Sequence, residues 1–506
     1  DLDNGCTTAI PKIAPTDRLD TRPLIPDLAR MKNPADPAYG CAPARFIRVF
    51  RAVAPPEGMI GTRGAIGETD FEMQQILGYA PIEPDGSFKL QIPADTPIGL
   101  AVVDASGRAF QTHTNWIQVR PGERRTCDGC HSPRRGGAIN SGDVVNTVPQ
   151  ALKTSLMVNG QSTAAIHQPG ETLAGTRTRV DPSALQYSPN MIYTDIWADT
   201  TRNGVTARPA ITLDYSGLQD NAKPSNGVIN YPEHIQPLWT KSRMSGNTDN
   251  ACINCHADPA KLDLRGTVSG TGRLTSYQEL MVGDPVIDGT TGLPRTTLRD
   301  GVPVIERGPA LVNTMASEGD ALGLTRKSRL AEILWGQTLS VEADARTAHP
   351  NPPGTAPNHA TLLTTSEKRL LAGWMDLGGK YYNNPFVTNA NVRRINALSE
   401  ATFRDQIAPI LRSTCSSGCH QAIGSSASAA AFRDNRFVLT GDDRGDYNVT
   451  LTMISDACAV TANALLSKPS TVPHPSGATG STAVLPVGST AYNTIANWLR
   501  TGCSNP

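Results

Sequence analysis

The chain has 506 residues, more than one small core can use, and is expected to divide into two to four domains. Lys+Arg and Asp+Glu balance at 46 each, which excludes a basic grip on nucleic acid or a polybasic membrane patch; no run of about 18 apolar residues exists to span a bilayer as a helix. The chain carries 45 Gly and 39 Pro against only 6 Trp, 11 Tyr and 9 Phe, so it is loop-rich and its core is expected to be filled partly by something other than its own side chains.

The sequence starts at Asp1 without a charged-then-apolar leader, as a chain trimmed of a signal peptide would. Residues 1–145 read as β-rich. Phe88, Leu90 and Ile92 alternate with polar residues after an Asp85-Gly86 turn, and Val102 and Phe110 bracket a Ser106-Gly107 turn. Short strands between such turns predict a small β-sandwich-like domain. It ends in Cys127-Asp-Gly-Cys130-His131.

Residues 146–390 read as a β-like insert followed by a helical module, and 391–506 as a second helical module. The two modules share one pattern. Tyr231-Pro-Glu-His-Ile-Gln-Pro-Leu-Trp239 aligns with Phe403-Arg-Asp-Gln-Ile-Ala-Pro-Ile-Leu411, an apolar helical stripe in each case. Cys252-Ile-Asn-Cys255-His256 follows the first and Cys415-Ser-Ser-Gly-Cys419-His420 the second. Each module closes in an amphipathic helix with a tryptophan, over 364–377 with Trp374 and over 492–499 with Trp498; the former opens with a Thr364-x-x-Glu367 capping box. The fold class is therefore α+β and multidomain.

Three Cys-Cys-His motifs in one chain point to three covalently attached hemes c. Two thiols one short turn apart reach the two vinyl groups on one porphyrin edge, and the adjacent histidine is forced beneath the iron. Thus Cys127, Cys130, Cys252, Cys255, Cys415 and Cys419 would hold the porphyrins, and His131, His256 and His420 would be the proximal iron ligands. The third motif has one extra residue between its cysteines, which a bulge at Gly418 can absorb. The alternative is zinc, but a tetrahedral site wants paired hooks, and a histidine directly after the second cysteine is poorly placed to share one ion with both.

Six further histidines are available as sixth ligands. His474, on a loop before the last helix, is the candidate for the third heme, and His359 holds the equivalent place for the second, with His349 in reserve. Met281 is the methionine alternative there. For the first heme the candidate is His113, with His234 and His167 in reserve. Arg124, Arg125, Arg134 and Arg135 flank the first motif and are candidates for heme propionates or for a solvated basic edge.

The remaining cysteines lie near the chain ends and are expected to pair locally as Cys6–Cys41 and Cys458–Cys503, each worth about 3–4 kcal/mol through loop closure; other connectivities stay open. Disulfides and heme c both belong outside the cytoplasm, in the periplasm or the cell exterior.

Two resemblances follow from these residues. A leading helix, a heme motif and a closing helix with Trp resemble the class I cytochrome c fold, over 225–385 and 396–506. The segment from Ile76 through Tyr79, Asp85-Gly86 and Phe88 to Phe110-Gln-Thr-His-Thr-Asn-Trp116 and Pro121-Gly-Glu-Arg-Arg-Thr-Cys127 resembles the heme-bearing domain of proteins related to the hydrazine synthase alpha subunit, over residues 40–140. That second resemblance implies a catalytic heme with an unusual axial environment. The chain departs from it in showing no β-propeller repeat.

The expected function is electron relay between redox partner proteins, the expected partners being other cytochromes, in an extracellular chain or, by head-to-tail self-association, a homopolymeric filament. The alternative is a multiheme oxidoreductase whose first heme is open to a small nitrogen or oxygen compound.

Overall fold

The computed structural model describes residues 43–53, 73–126, 168–197, 207–258, 262–313, 323–337, 358–381, 398–420 and 437–503, with short gaps inside several of these, and a few isolated stretches before 43 and near 160. The motif residues Cys127, Cys130, His131 and Cys419, the histidines His167 and His349, and the Cys6–Cys41 pair lie outside the described residues. The chain is a mixture of sheets and helices and divides into two compact units, one of 1–53, 64–229 and 314–383, the other of 54–63, 230–313 and 384–506.

The first unit is built on a four-stranded antiparallel sheet. Its strands are β1 (Phe46–Val53), β2 (Met73–Pro81), β3 (Ile98–Val103) and β4 (Ala109–Thr112), in spatial order β2-β1-β3-β4. The period of two sorts the side chains of β1 onto two faces. Ile47 and Val49 join Ala80, Ile82 and Ile98 in one apolar cluster, against which Leu90, Ile92 and Ile117 pack. Phe46 and Arg48 point the other way, toward Tyr193 and Asp376. Burying a large apolar side chain contributes about 1.5–3 kcal/mol, so the alternation fixes which face each residue takes.

The Ser106-Gly107 turn joins β3 to β4, with Gly107 at a φ of +80° that a residue with a Cβ rarely adopts. Among the described residues of 1–145, this four-stranded sheet and one two-stranded pair, Lys12–Ile13 with Ile25–Pro26, stand where a sandwich was expected. The stretch around Phe88–Ile92 forms no strand; Gln91 N–H donates instead to Leu185 O. Pro93 ends it and cannot donate to a ladder.

The Thr365–Asp376 helix belongs to this first unit, not to the unit holding Tyr231–Met281, so the boundaries differ from the expected 146–390 segment. The expected capping box is present: Thr364 Oγ1 accepts from Glu367 N–H while Glu367 accepts from Thr364 N–H.

The second unit contains both aligned helical stripes. Tyr231–Ile235 is a wide π-type turn running into the α-helical Gln236–Thr240, and Phe403–Ile407 is the same turn running into Ala408–Leu411. In each, the residue after the turn donates five residues back, Gln236 to Tyr231 O and Ala408 to Phe403 O. The cause is the proline that follows, Pro237 or Pro409. It lacks an N–H and would clash with the carbonyl four residues back, and the wider turn moves that carbonyl aside.

Around the second stripe, Phe403, Ile407, Leu411, Ile454, Leu466, Ile495, Trp498 and Leu499 form one buried core. The first and last helices meet there, Phe403 and Trp498 lying 5.6 Å apart between ring centres. Cys458 and Cys503 form the expected disulfide, with Cα atoms 4.8 Å apart, and tie the end of the Thr490–Thr501 helix to the segment before Val460. Among the described residues no helix is long and apolar enough to cross a membrane.

Candidate functional site

The two described motifs share one backbone device. His256 N–H donates to Cys252 O at 2.8 Å, four residues back, and His420 N–H donates to Cys415 O at 3.0 Å, five residues back. The bond of the third motif thus spans one residue more than that of the second, and the π-type turn Arg412–Ser416 precedes its histidine. Cys252–Cys255 is itself one helical turn, and positions three apart on a helix lie on one face. Cys252, Cys255 and Cys415 are thiols, half-buried or exposed, and not disulfide partners.

A second device repeats after each motif. The chain returns so that a leucine N–H meets the histidine's carbonyl: Leu264 N–H donates to His256 O at 2.9 Å, and Leu439 N–H donates to His420 O at 2.7 Å. In the third site the same returning segment also reaches the ring, with His420 Nδ1 2.7 Å from Phe437 O. A carbonyl only accepts, so in the neutral ring Nδ1 carries the proton and Nε2 keeps a lone pair. That is the tautomer a metal-binding histidine needs, with its ring oriented by the other nitrogen.

His474 faces this ring. The His420 and His474 ring centres are 6.2 Å apart and their planes differ by 17°. Two imidazoles sharing one ion through metal–nitrogen bonds of about 2.0–2.1 Å hold their ring centres roughly 6 Å apart. Burial first, then the neighbouring His420 and Lys468, lower the His474 pKa and favour the neutral ring a metal requires.

The other histidines are placed differently. His234 is buried on the π-type turn, and its Nδ1 accepts from Asn230 N–H at 2.8 Å. An N–H only donates, so Nδ1 is unprotonated here; the same nitrogen lies farther, 3.2 Å, from Asn230 O, and the shorter contact sets the state. The neutral ring then carries its proton on Nε2, the reverse of His420. Burial also pushes the His234 pKa down. His234 acts as a side-chain cap on its own turn, and sequence spacing could not show this.

His359 opens a short helix in the first unit, half-buried, with its pKa lowered by burial. His113 follows β4 in the same unit, and its N–H donates to Leu100 O. Of the arginines flanking the first motif, Arg125 pairs with Glu123 at 2.8 Å. Met281 ends the Thr275–Met281 helix, half-buried. Among the described residues no three His, Cys, Asp or Glu side chains gather into a group that could hold a metal ion.

The sheet and its following segment are where known proteins match. The family described as the hydrazine synthase alpha subunit middle domain matches residues 47–132, from the second residue of β1 to the residue after His131. This stretch is similar to that domain. Hydrazine synthase subunit alpha of Kuenenia stuttgartiensis is 36% identical over 94 residues, which are 18% of this chain and 12% of that protein. The match therefore spans about an eighth of the relative's length. The solved Kuenenia stuttgartiensis hydrazine synthase superposes with a TM-score of 0.36 at 18% identity, over 68% of this chain and 40% of that one.

Proposed function

We propose that this chain is an exported triheme c-type cytochrome that relays electrons between protein partners. The observation that carries the reading is that His474 lies next to His420 of the third motif, ring centres 6.2 Å apart, as a second ligand to the same iron would require. Cys415 and Cys419 would hold the third porphyrin, and Cys252, Cys255 and His256 the second. Cys127, Cys130 and His131 would hold the first. Heme c supplies one-electron exchange at a potential set by its axial ligands and surroundings.

This chain's own residues do the rest. His420 and His474 would close both axial positions and leave no room for substrate. Phe437 O fixes the His420 tautomer. The meeting of Phe403 with Trp498 supports a cytochrome c-like arrangement for 398–503. The Cys458–Cys503 disulfide supports an oxidising compartment, periplasmic or extracellular.

A second reading is favoured by a separate observation. The matched stretch 47–132 contains the first motif, and the matched relative is named as a subunit of hydrazine synthase. On that reading the first heme is open and acts on a small nitrogen or oxygen compound, the other two relay electrons, and the partners are further subunits.

One experiment separates the two: the visible spectrum of the dithionite-reduced protein before and after carbon monoxide. An unshifted low-spin spectrum would support three saturated irons and electron relay. A Soret shift over about a third of the absorbance would move the oxidoreductase reading to the front.

A further inference from the structure

The two motif histidines of the second unit are held from different directions. His420 is met by its returning segment, through Phe437 O on the ring and Leu439 N–H on the backbone. His256 shares the backbone bond, from Leu264 N–H, but Leu264 is itself gripped. Its carbonyl accepts from Gln236 Nε2–H at 3.0 Å, and the other end of that amide, Gln236 Oε1, accepts from Ser276 Oγ–H. Gln236 and Ser276 are both buried.

We infer that Gln236 is a positioning residue for the second heme: its buried amide ties the leading helix and the Thr275–Met281 helix to Leu264, and through Leu264 to His256. The inference rests on the reading of Cys252–His256 as a heme site.

The internal repeat shows that the fold does not itself require this amide. The position of Gln236 in the other module is Ala408, also buried, first residue after an identical π-type turn. Alanine can make neither bond, yet the turn and the helix form. A buried primary amide in place of a methyl loses hydration and stays only where both its ends are satisfied. Here they are satisfied by the backbone that holds His256 and by the helix that ends at Met281.

The links also run in one direction chemically. Ser276 Oγ–H donates into the amide, the amide N–H donates into Leu264 O, and the Leu264 peptide N–H donates into His256 O. The first two donations share the Gln236 amide and polarise one another; the third is tied to them through the Leu264 backbone, whose C=O and N–H belong to neighbouring peptide units. Removing Gln236 leaves Leu264 O and Ser276 Oγ without this amide and frees the backbone at His256, which would hold the second heme, to shift.

The test uses the full-length holoprotein with Gln236→Ala, which copies the other module, and Gln236→Met, which keeps the volume and loses the polar ends. A milder variant, Ser276→Ala, removes only the first link. Heme content is read by the reduced pyridine spectrum, and each heme by redox titration and electron paramagnetic resonance.

The expected result is three hemes retained, one heme with a changed potential and changed g-values, and the other two as in the wild type. Ser276→Ala would give the same change in smaller degree. The inference is overturned if all three hemes match the wild type in Gln236→Met, or if all three change together with the melting temperature, which would mark a general loosening. A wild-type protein with no heme on Cys252 and Cys255 by peptide mass would instead sink the heme reading itself, and this inference with it.

Discussion

Arg48 and Asp376 form an ion pair 2.9 Å long with both side chains 1% exposed, joining β1 to the last residue of the Thr365–Asp376 helix. The carboxylate is used on both oxygens: Oδ2 also accepts from Ala109 N–H and Oδ1 from Thr325 N–H, each at 2.9 Å. Arg48 donates as well to Gly107 O at 2.5 Å, in the turn between β3 and β4. One carboxylate thus organises three separate segments of the first unit. Breaking a buried pair from one side leaves the other charge uncompensated, at a cost of about 3–5 kcal/mol. Asp376→Ala is expected to lower the melting temperature of the first unit without changing heme content, read by calorimetry and by the reduced pyridine spectrum. Unchanged melting would show that Asp376 does not organise these segments.

That ion pair also shows where the sequence stops being readable. The helix itself was legible, from Thr364-x-x-Glu367 and the stripe of Leu370, Leu371 and Trp374. Its place was not, because it depends on Arg48, 328 residues away, and no local period reports such a partner. The aligned stripes at 231 and 403 were legible because the same proline forces the same turn. The Cys458–Cys503 pairing was legible from its position at one chain end. A histidine's tautomer is a different matter. His234 and His420 are alike as letters, and only the group facing Nδ1, Asn230 N–H in one and Phe437 O in the other, separates their tautomers.

The Cys458–Cys503 disulfide closes a loop of 45 residues over the third module. Loop closure of that length is worth about 4 kcal/mol in the chain-entropy account. The double variant Cys458→Ser with Cys503→Ser is expected to unfold at lower denaturant, read by circular dichroism, with a somewhat steeper slope because the unlinked denatured chain exposes more surface. An equal midpoint in the variant would mean that the bridge does not constrain this module.

The role of His234 sets a pH dependence. Its folded pKa lies below the ordinary histidine value of 6.5, chiefly through burial. In the window between the two values the unfolded chain binds more protons, so stability rises with pH there. The contribution is complete above about 6.5 and is lost as pH falls toward the lowered folded value, where protonation would also remove the Nδ1 lone pair that accepts Asn230 N–H. His234→Gln is expected to flatten the decline of melting temperature between neutral and mildly acidic pH and to leave carbon monoxide binding unchanged. Parallel wild-type and variant curves would remove the cap from the account. A new carbon monoxide-sensitive heme would make His234 an iron ligand after all.

His474 gives the sharpest test of the third site. On the proposed reading, an iron bound by His420 and His474 would have one ligand held by Phe437 O and one on a loop. His474→Ala should open that iron alone, so carbon monoxide would shift about a third of the reduced Soret band if the chain carries three equal hemes. His474→Met should keep the site closed and raise the potential of one heme, since thioether ligation favours the reduced iron relative to a second imidazole. The two variants together separate loss of a ligand from loss of the fold, because only the first opens the iron while both remove the histidine. If neither changes the spectrum or any potential, the 6.2 Å spacing of the two rings is packing, and the sixth ligand of the third heme lies elsewhere in the chain or on a partner.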